Sequence, residues 1–164
     1  YEAGSLVFRN NGDERMRIDS AGRVTKPLQP AFFAYRNTTN SLSSQNPLVF
    51  SAEDLDVGGD YNTSNSRFTA PVAGKYMINI QMSFYLDGDC RAIETYLRKN
   101  GGDIYRNDTW IQQTQGNNTH ISGSLNVLIN LAANDYLDVR FSATAAVNVF
   151  SSGRNSFFSG YLVG

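Results

Sequence analysis

A chain of 164 residues with 14 basic and 15 acidic side chains, net charge −1, can bury a core of its own and carries no field to attract nucleic acid or an anionic membrane. Cys90 is the one cysteine and His120 the one histidine, which excludes an internal disulfide and leaves neither a zinc cluster nor a histidine-dependent triad enough residues. Nothing approaches the run of about 18 apolar residues that a membrane-spanning helix needs.

Residues 1–26 differ from the remainder. Leu6, Val7 and Phe8 form a short apolar run, residues 10–13 a turn cluster, and Met16 and Ile18 alternate with Arg15, Arg17 and Asp19. The pattern predicts a small hairpin followed by a second turn at Ser20, Ala21 and Gly22. A lone hairpin with so few apolar groups is marginal in water, so it needs the following domain or copies of itself as a partner. The start at Tyr1, without a methionine or a signal-like segment, points to a fragment of something longer. Pro27 and Pro30 bracket a linker, 27–30, and the head, 31–164, follows.

Residues 31–36 read as the head's first strand, 37–46 (NTTNSLSSQN) as a polar loop with only Leu42 to bury, and 48–50 as a return to the sheet. The clearest signal comes next. A short strand around Phe68 meets a turn set by Pro71 and Gly74, and then Tyr76, Ile78, Ile80, Met82 and Phe84 point one way while Asn79, Gln81 and Ser83 point the other. After a turn at Asp87, Gly88 and Asp89, a strand runs through Ile93, Thr95 and Leu97 to a turn at Asn100 and Gly101. Residues 103–118 suggest a strand flanked by loop, carrying Ile104, Tyr105, Trp110 and Ile111. Ile121, Gly123, Leu125, Val127, Ile129 and Leu131 alternate cleanly; a turn at 132–134 leads to Leu137, Val139 and Phe141. A short strand at 145–150, a turn at 151–154 and a last strand at 157–163 complete an all-β chain with no helical period. About ten antiparallel strands at this spacing suit a sandwich or jelly roll.

The last strand is apolar on both faces, Phe157 and Tyr161 on one and Phe158 and Leu162 on the other. A strand with one solvated face should be polar at alternate positions. Both sides are therefore covered within the chain, or one face meets another subunit.

Phe50, Asp56, Tyr61, Phe68, Gly74 and Tyr76 stand at the separations of the C1q globular-head signature, and RFTAPVAGKY is close to that family's wording. The head resembles the C1q and tumour-necrosis-factor superfamily: FFSGYLVG resembles its closing strand and AFFA its opening one. Ile78 and Ile80 depart from the aromatic residues usual there. The resemblance implies a jelly-roll sandwich whose last strand lies mid-sheet beside a threefold axis, hence a homotrimer with Phe157, Phe158, Tyr161 and Leu162 at its interface. ERMRIDSAGRV is similar to short segments that precede distal domains of phage tail-fibre and other virion proteins, while the collagen stalk familiar in the C1q family is absent from these residues.

Candidate chemistry is sparse. No nucleophile elbow, phosphate loop or cysteine pair occurs, and the acidic clusters Glu53, Asp54, Asp56 and Asp87, Asp89 read as solvated turns. No enzyme is expected. Asp87 and Asp89 could offer oxygen ligands to calcium, which some relatives of this fold bind near the trimer tip, but two carboxylates without a recognised loop assign no metal or other cofactor. His120 reads as solvated, Cys90 as a small buried hydrophobe. Trp110 could stack on a sugar ring, although a sandwich's sole tryptophan more often belongs in or near the core.

The resemblance puts the linker and C-terminus at the base and four loops at the far tip, which would bring Asn37, Thr38, Asn40, Ser43, Gln45, Asp87, Asp89, Asn134 and Arg154 to a receptor-binding surface. Polar and nearly uncharged, these loops suit a hydroxyl-rich partner. Three readings follow: a trimeric fibre or spike tip of a virion that adheres to a host-surface glycan or protein, a structural trimerisation cap joined to an upstream shaft, and a secreted C1q-like head.

Overall fold

A computed structural model describes residues 4–86, 90–111 and 119–163. The N-terminal part is a three-stranded antiparallel sheet of its own, β1 (Leu6–Asn10), β2 (Asp13–Ile18) and β3 (Val24–Thr25). Asn11 and Gly12, at φ 53° and 88°, make the tight β1–β2 turn, a backbone that an asparagine and a glycine adopt with least strain. Leu6, Phe8 and Val24 stay exposed, so this sheet has a face without a core.

The head contains β4 (Ala31–Tyr35), β5 (Asn40–Gln45), β6 (Ala52–Val57), β7 (Tyr61–Asn62), β8 (Arg67–Thr69), β9 (Gly74–Leu86), β10 (Ala92–Lys99), β11 (Gly102–Trp110), β12 (Thr119–Leu131), β13 (Tyr136–Val149) and β14 (Phe157–Leu162). A 3-10 turn, Ser152–Arg154, precedes the last strand. Pairings define two layers. The first runs β12-β9-β14-β4-β6; the second runs β11-β10-β13, with β13 also pairing β5 and β8. They join where Asn148 and Val149 at the end of β13 pair with Tyr85 and Phe84 of β9. This is an antiparallel jelly roll, one of the two architectures that the strand spacing suits and the one that the C1q resemblance implies.

Alternation decides the core. Tyr76, Ile78, Ile80, Met82 and Phe84 of β9 are all buried, facing Leu137, Val139 and Phe141 of β13 and Ile93 and Leu97 of β10. Aromatic contacts bind the layers: Phe32 stacks on Phe68 at 4.5 Å between ring centres, and Phe84 on Phe141 at 5.4 Å. Gly160 of β14 lies where a side chain would strike Ile78 and Phe32.

Several expectations change. The supposed polar loop 37–46 contains a strand, because Asn40, Ser41 and Leu42 pair with Val149, Asn148 and Val147. Leu48 and Phe50 are fully buried yet lie outside any strand. Residues 145–149 form no separate strand; they continue β13, whose register with β5 shifts between Ser142 and Val147, and Phe150 lies beyond its end. Strand β6 had no period to reveal it, since Glu53, Asp54 and Leu55 are exposed in succession.

Candidate functional site

Leu162 N donates to Pro30 O, Val163 N to Lys75 O, and Asn134 N to Ala70 O, so the linker, the C-terminus and the β12–β13 turn share one end, the base. Asn134 therefore does not join a distal surface: β12 runs back from Leu86 toward Gly74 and delivers the turn to the base. Asp87 and Asp89, and with them the calcium suggestion, fall outside the described residues. Among the described residues no cluster of three or more metal-ligating side chains occurs.

At the far end, Asn37, Thr38, Asn40 and Gln45 do converge, around a pocket of about 220 Å3. Its organiser is Arg36, a residue that sequence reasoning passed over. Arg36 occupies the core-facing parity of the first strand after Phe32 and Ala34, and only 3% of it is exposed. Its guanidinium donates to Val49 O at 2.7 Å, Asn40 Oδ1 at 2.5 Å, Thr38 O at 3.3 Å and Gln45 Oε1 at 3.4 Å. These acceptors are all neutral, and burial pulls the guanidinium pKa down. Nε finds no hydrogen-bond partner among the described residues. Neighbouring loops are stitched the same way: Ser51 Oγ donates to Asn37 Oδ1 at 2.7 Å, and Ser151 N to Thr39 Oγ1 at 3.1 Å. Ser43 is exposed on β5, and Arg154 binds Asp54, one nitrogen at 3.0 Å, with its guanidinium 4.7 Å above the Tyr35 ring.

The outer faces of the layers differ. On the first, Phe33 and Phe157 stack at 5.0 Å, Leu55 pairs with Phe33, and Tyr161, Met77 and Leu128 stand side by side across β14, β9 and β12. Tyr161 is 49% and Leu128 56% exposed. Of the four residues expected at a subunit interface, Phe158 and Leu162 point inward. Phe158 is fully buried against Phe32, Phe50 and Tyr61, and Leu162 packs on the same core. Phe157 and Tyr161 alone remain on the open face.

On the second layer the outer face is charged and internally matched. Asp138, fully buried, lies between Arg67 at 3.1 Å and Arg98 at 3.0 Å, the latter an ion pair without hydrogen-bond alignment. Arg140 holds Asp103 at 2.7 Å and lies 3.6 Å over the Tyr96 ring. At the far end of this face stands Trp110, not in the core but 78% exposed, over a pocket of about 400 Å3. Its strand parity explains the exposure: Thr109 and Asn107 turn toward Gly123 of β12, leaving Trp110 on the outward side. His120 is exposed and stacks on Phe150 at 5.1 Å, with Tyr85 edge-on at 5.0 Å. Cys90 is buried.

Comparison with known proteins agrees with this geometry. The insect tumour necrosis factor Eiger of S. frugiperda superposes with a TM-score of 0.69 at 14% identity, covering 84% of this chain and 94% of that one. The globular domain of zebrafish complement 1qA gives 0.64 at 16% identity, covering 83% and 98%, and murine APRIL 0.64 at 12%, covering 82% and 99%. Mouse complement C1q tumor necrosis factor-related protein 3 is 27% identical over 141 residues, 85% of this chain but only 53% of that protein's length. The chain thus spans about half of that relative. The C1q domain family matches residues 31–163, and the chain belongs to that family.

Proposed function

We propose that the chain is a non-enzymatic homotrimeric binding head at the tip of a virion fibre, adhering through its far end to a host-surface glycan or protein. One observation carries the trimer: the first layer leaves an aromatic and aliphatic face open while the second layer's face is charged and matched. A sheet face of that kind on a soluble head marks a subunit contact. Heads of the C1q and tumour-necrosis-factor type are typically trimeric, which supports the same stoichiometry. The fibre reading draws on the likeness of residues 14–24 to virion fibre segments and on the small N-terminal sheet, whose exposed Leu6, Phe8 and Val24 call for neighbouring copies in a shaft.

A secreted head is the second reading, favoured by the match to the mouse complement C1q-related protein. The residues upstream of Tyr1 discriminate: a repetitive β-shaft supports the virion, a signal peptide the secreted protein. Light scattering on the purified chain tests the trimer, and adsorption to host cells tests adhesion. A stable monomer removes the first half of the proposal; a trimer that adsorbs to no cell surface leaves only a structural cap.

A further inference from the structure

Trp110 offers a large apolar ring to water from a rigid strand. Its partner in the β10–β11 register is Ala92, whose small side chain leaves the space beside the indole empty. The resulting pocket is rimmed by Arg91, Glu94, Ser142 and Thr144, hydrogen-bonding groups beside an aromatic wall. Thr144 is engaged, accepting from Arg91 N at 2.8 Å. Ser142 is not: its hydroxyl has no hydrogen-bond partner among the described residues. Glu94 Oε2 accepts from the Tyr96 hydroxyl at 2.8 Å, while Oε1 faces Arg106 only at 3.6 Å, beyond hydrogen-bond range, and so keeps acceptor capacity.

We propose that this pocket is a subsite for a neutral pyranose. The axial C–H groups of such a ring form an apolar face that suits an indole, and its hydroxyls can both donate to Glu94 and exchange hydrogen bonds with Ser142. Charge argues for a neutral ligand: of the cations at the pocket, Arg91 has an interaction of its own and Arg106 is met by Asp108 at 2.8 Å and by Glu94, so neither stands free to select an acid. The pocket opens on the second layer's outer face, away from the apolar face assigned to self-association, so a trimer closed through that apolar face leaves it open. The inference rests on reading the far end as a binding surface and names the ligand class there.

Because Trp110 is the chain's one tryptophan, its emission reports on the site directly. The full chain is titrated with methyl β-galactoside, methyl β-glucoside and methyl α-mannoside, with N-acetylneuraminic acid as the charged comparison. Saturable quenching or a blue shift with at least one neutral hexoside, and none with the acid, is the expected result. Trp110→Ala then weakens binding of that sugar, read by calorimetry, roughly tenfold or more, and Ser142→Ala weakens it less, with trimer mass and unfolding midpoint unchanged. Absence of a saturable response to every hexoside overturns the subsite, as does a preference for the acid or an unchanged affinity in Trp110→Ala. Emission that is already blue and shielded from iodide in the trimer also overturns it, since a neighbouring copy would then cover the ring. The broader reading is scored separately: a Trp110→Ala trimer that still adsorbs to host cells removes the sugar subsite and leaves the adhesive head standing.

Discussion

Gly160 has no side chain because its neighbours have taken the room. A Cβ there would come within 2.6 Å of Ile78 Cδ1, 2.9 Å of Phe32 Cε1 and 3.1 Å of Met77 O, and the last is backbone that cannot swing aside. Gly160→Ala should destabilise the head by about 1–3 kcal/mol, the usual cost of overpacking, measured as a lower urea midpoint at unchanged slope. A neutral result would mean that β14 shifts freely, against the fold described. Arg36 poses the opposite problem, a cation kept inside by neutral oxygens. Arg36→Ala strips Val49 O and Thr38 O of their donor and should cost about 2–4 kcal/mol, with the 37–51 segment loosening first in hydrogen exchange. Uniform loss of protection across the head would show that Arg36 does not organise that segment. The sequence did not reveal Arg36 as buried: alternation after Phe32 and Ala34 carries it to the core side, but its acceptors Gln45 Oε1 and Val49 O come from chain 9 and 13 positions later.

At the scale of elements, the turn between β12 and β13 shows how a charge fixes a corner. Asp135 receives Lys99 Nζ at 2.7 Å, Asn100 Nδ2 at 2.7 Å and Ala132 N at 2.8 Å, and these donors hold its carboxyl down at about 2. An acid whose folded pKa lies below its unfolded value stabilises the fold fully above that unfolded value. The contribution then fades as pH falls from about 4 toward about 2. Asp135→Asn should therefore lower the midpoint at pH 6 and flatten the acid limb between pH 4 and pH 2; profiles parallel to the wild type would refute the assignment. The long strands β9 and β12 announce themselves by strict alternation because one face of each meets the core and the other does not. Strand β5 stayed hidden: NSLSSQ offers one apolar residue, and what makes it a strand is the backbone of β13, about a hundred residues later in the chain.

For the whole molecule, the contrast between the layers sets the expected assembly. Tyr161→Asp, on the open face of the first layer, should leave the monomer's core intact and convert the proposed trimer to monomers in sedimentation equilibrium. An Asp138→Asn change on the opposite layer should weaken folding, by unpairing Arg67 and Arg98, without altering subunit number. If both variants remain trimeric, subunits do not meet through the first layer. Exposure of Leu6 and Phe8 in the N-terminal sheet adds a separate demand for neighbours, one the head cannot meet alone.

Period-two alternation, the turn residues and the C1q-like wording determined the all-β class, the jelly roll and which residues of β9 and β12 face inward, because those features depend on neighbours in sequence. Which end each loop occupies, that Phe158 and Leu162 serve the chain's own core, that Arg36 lies buried and that Trp110 stands in water were decided only by tertiary structure. Each depends on pairings between strands far apart in the chain, and a one-dimensional period carries the parity of a strand but neither its direction nor the layer that covers it.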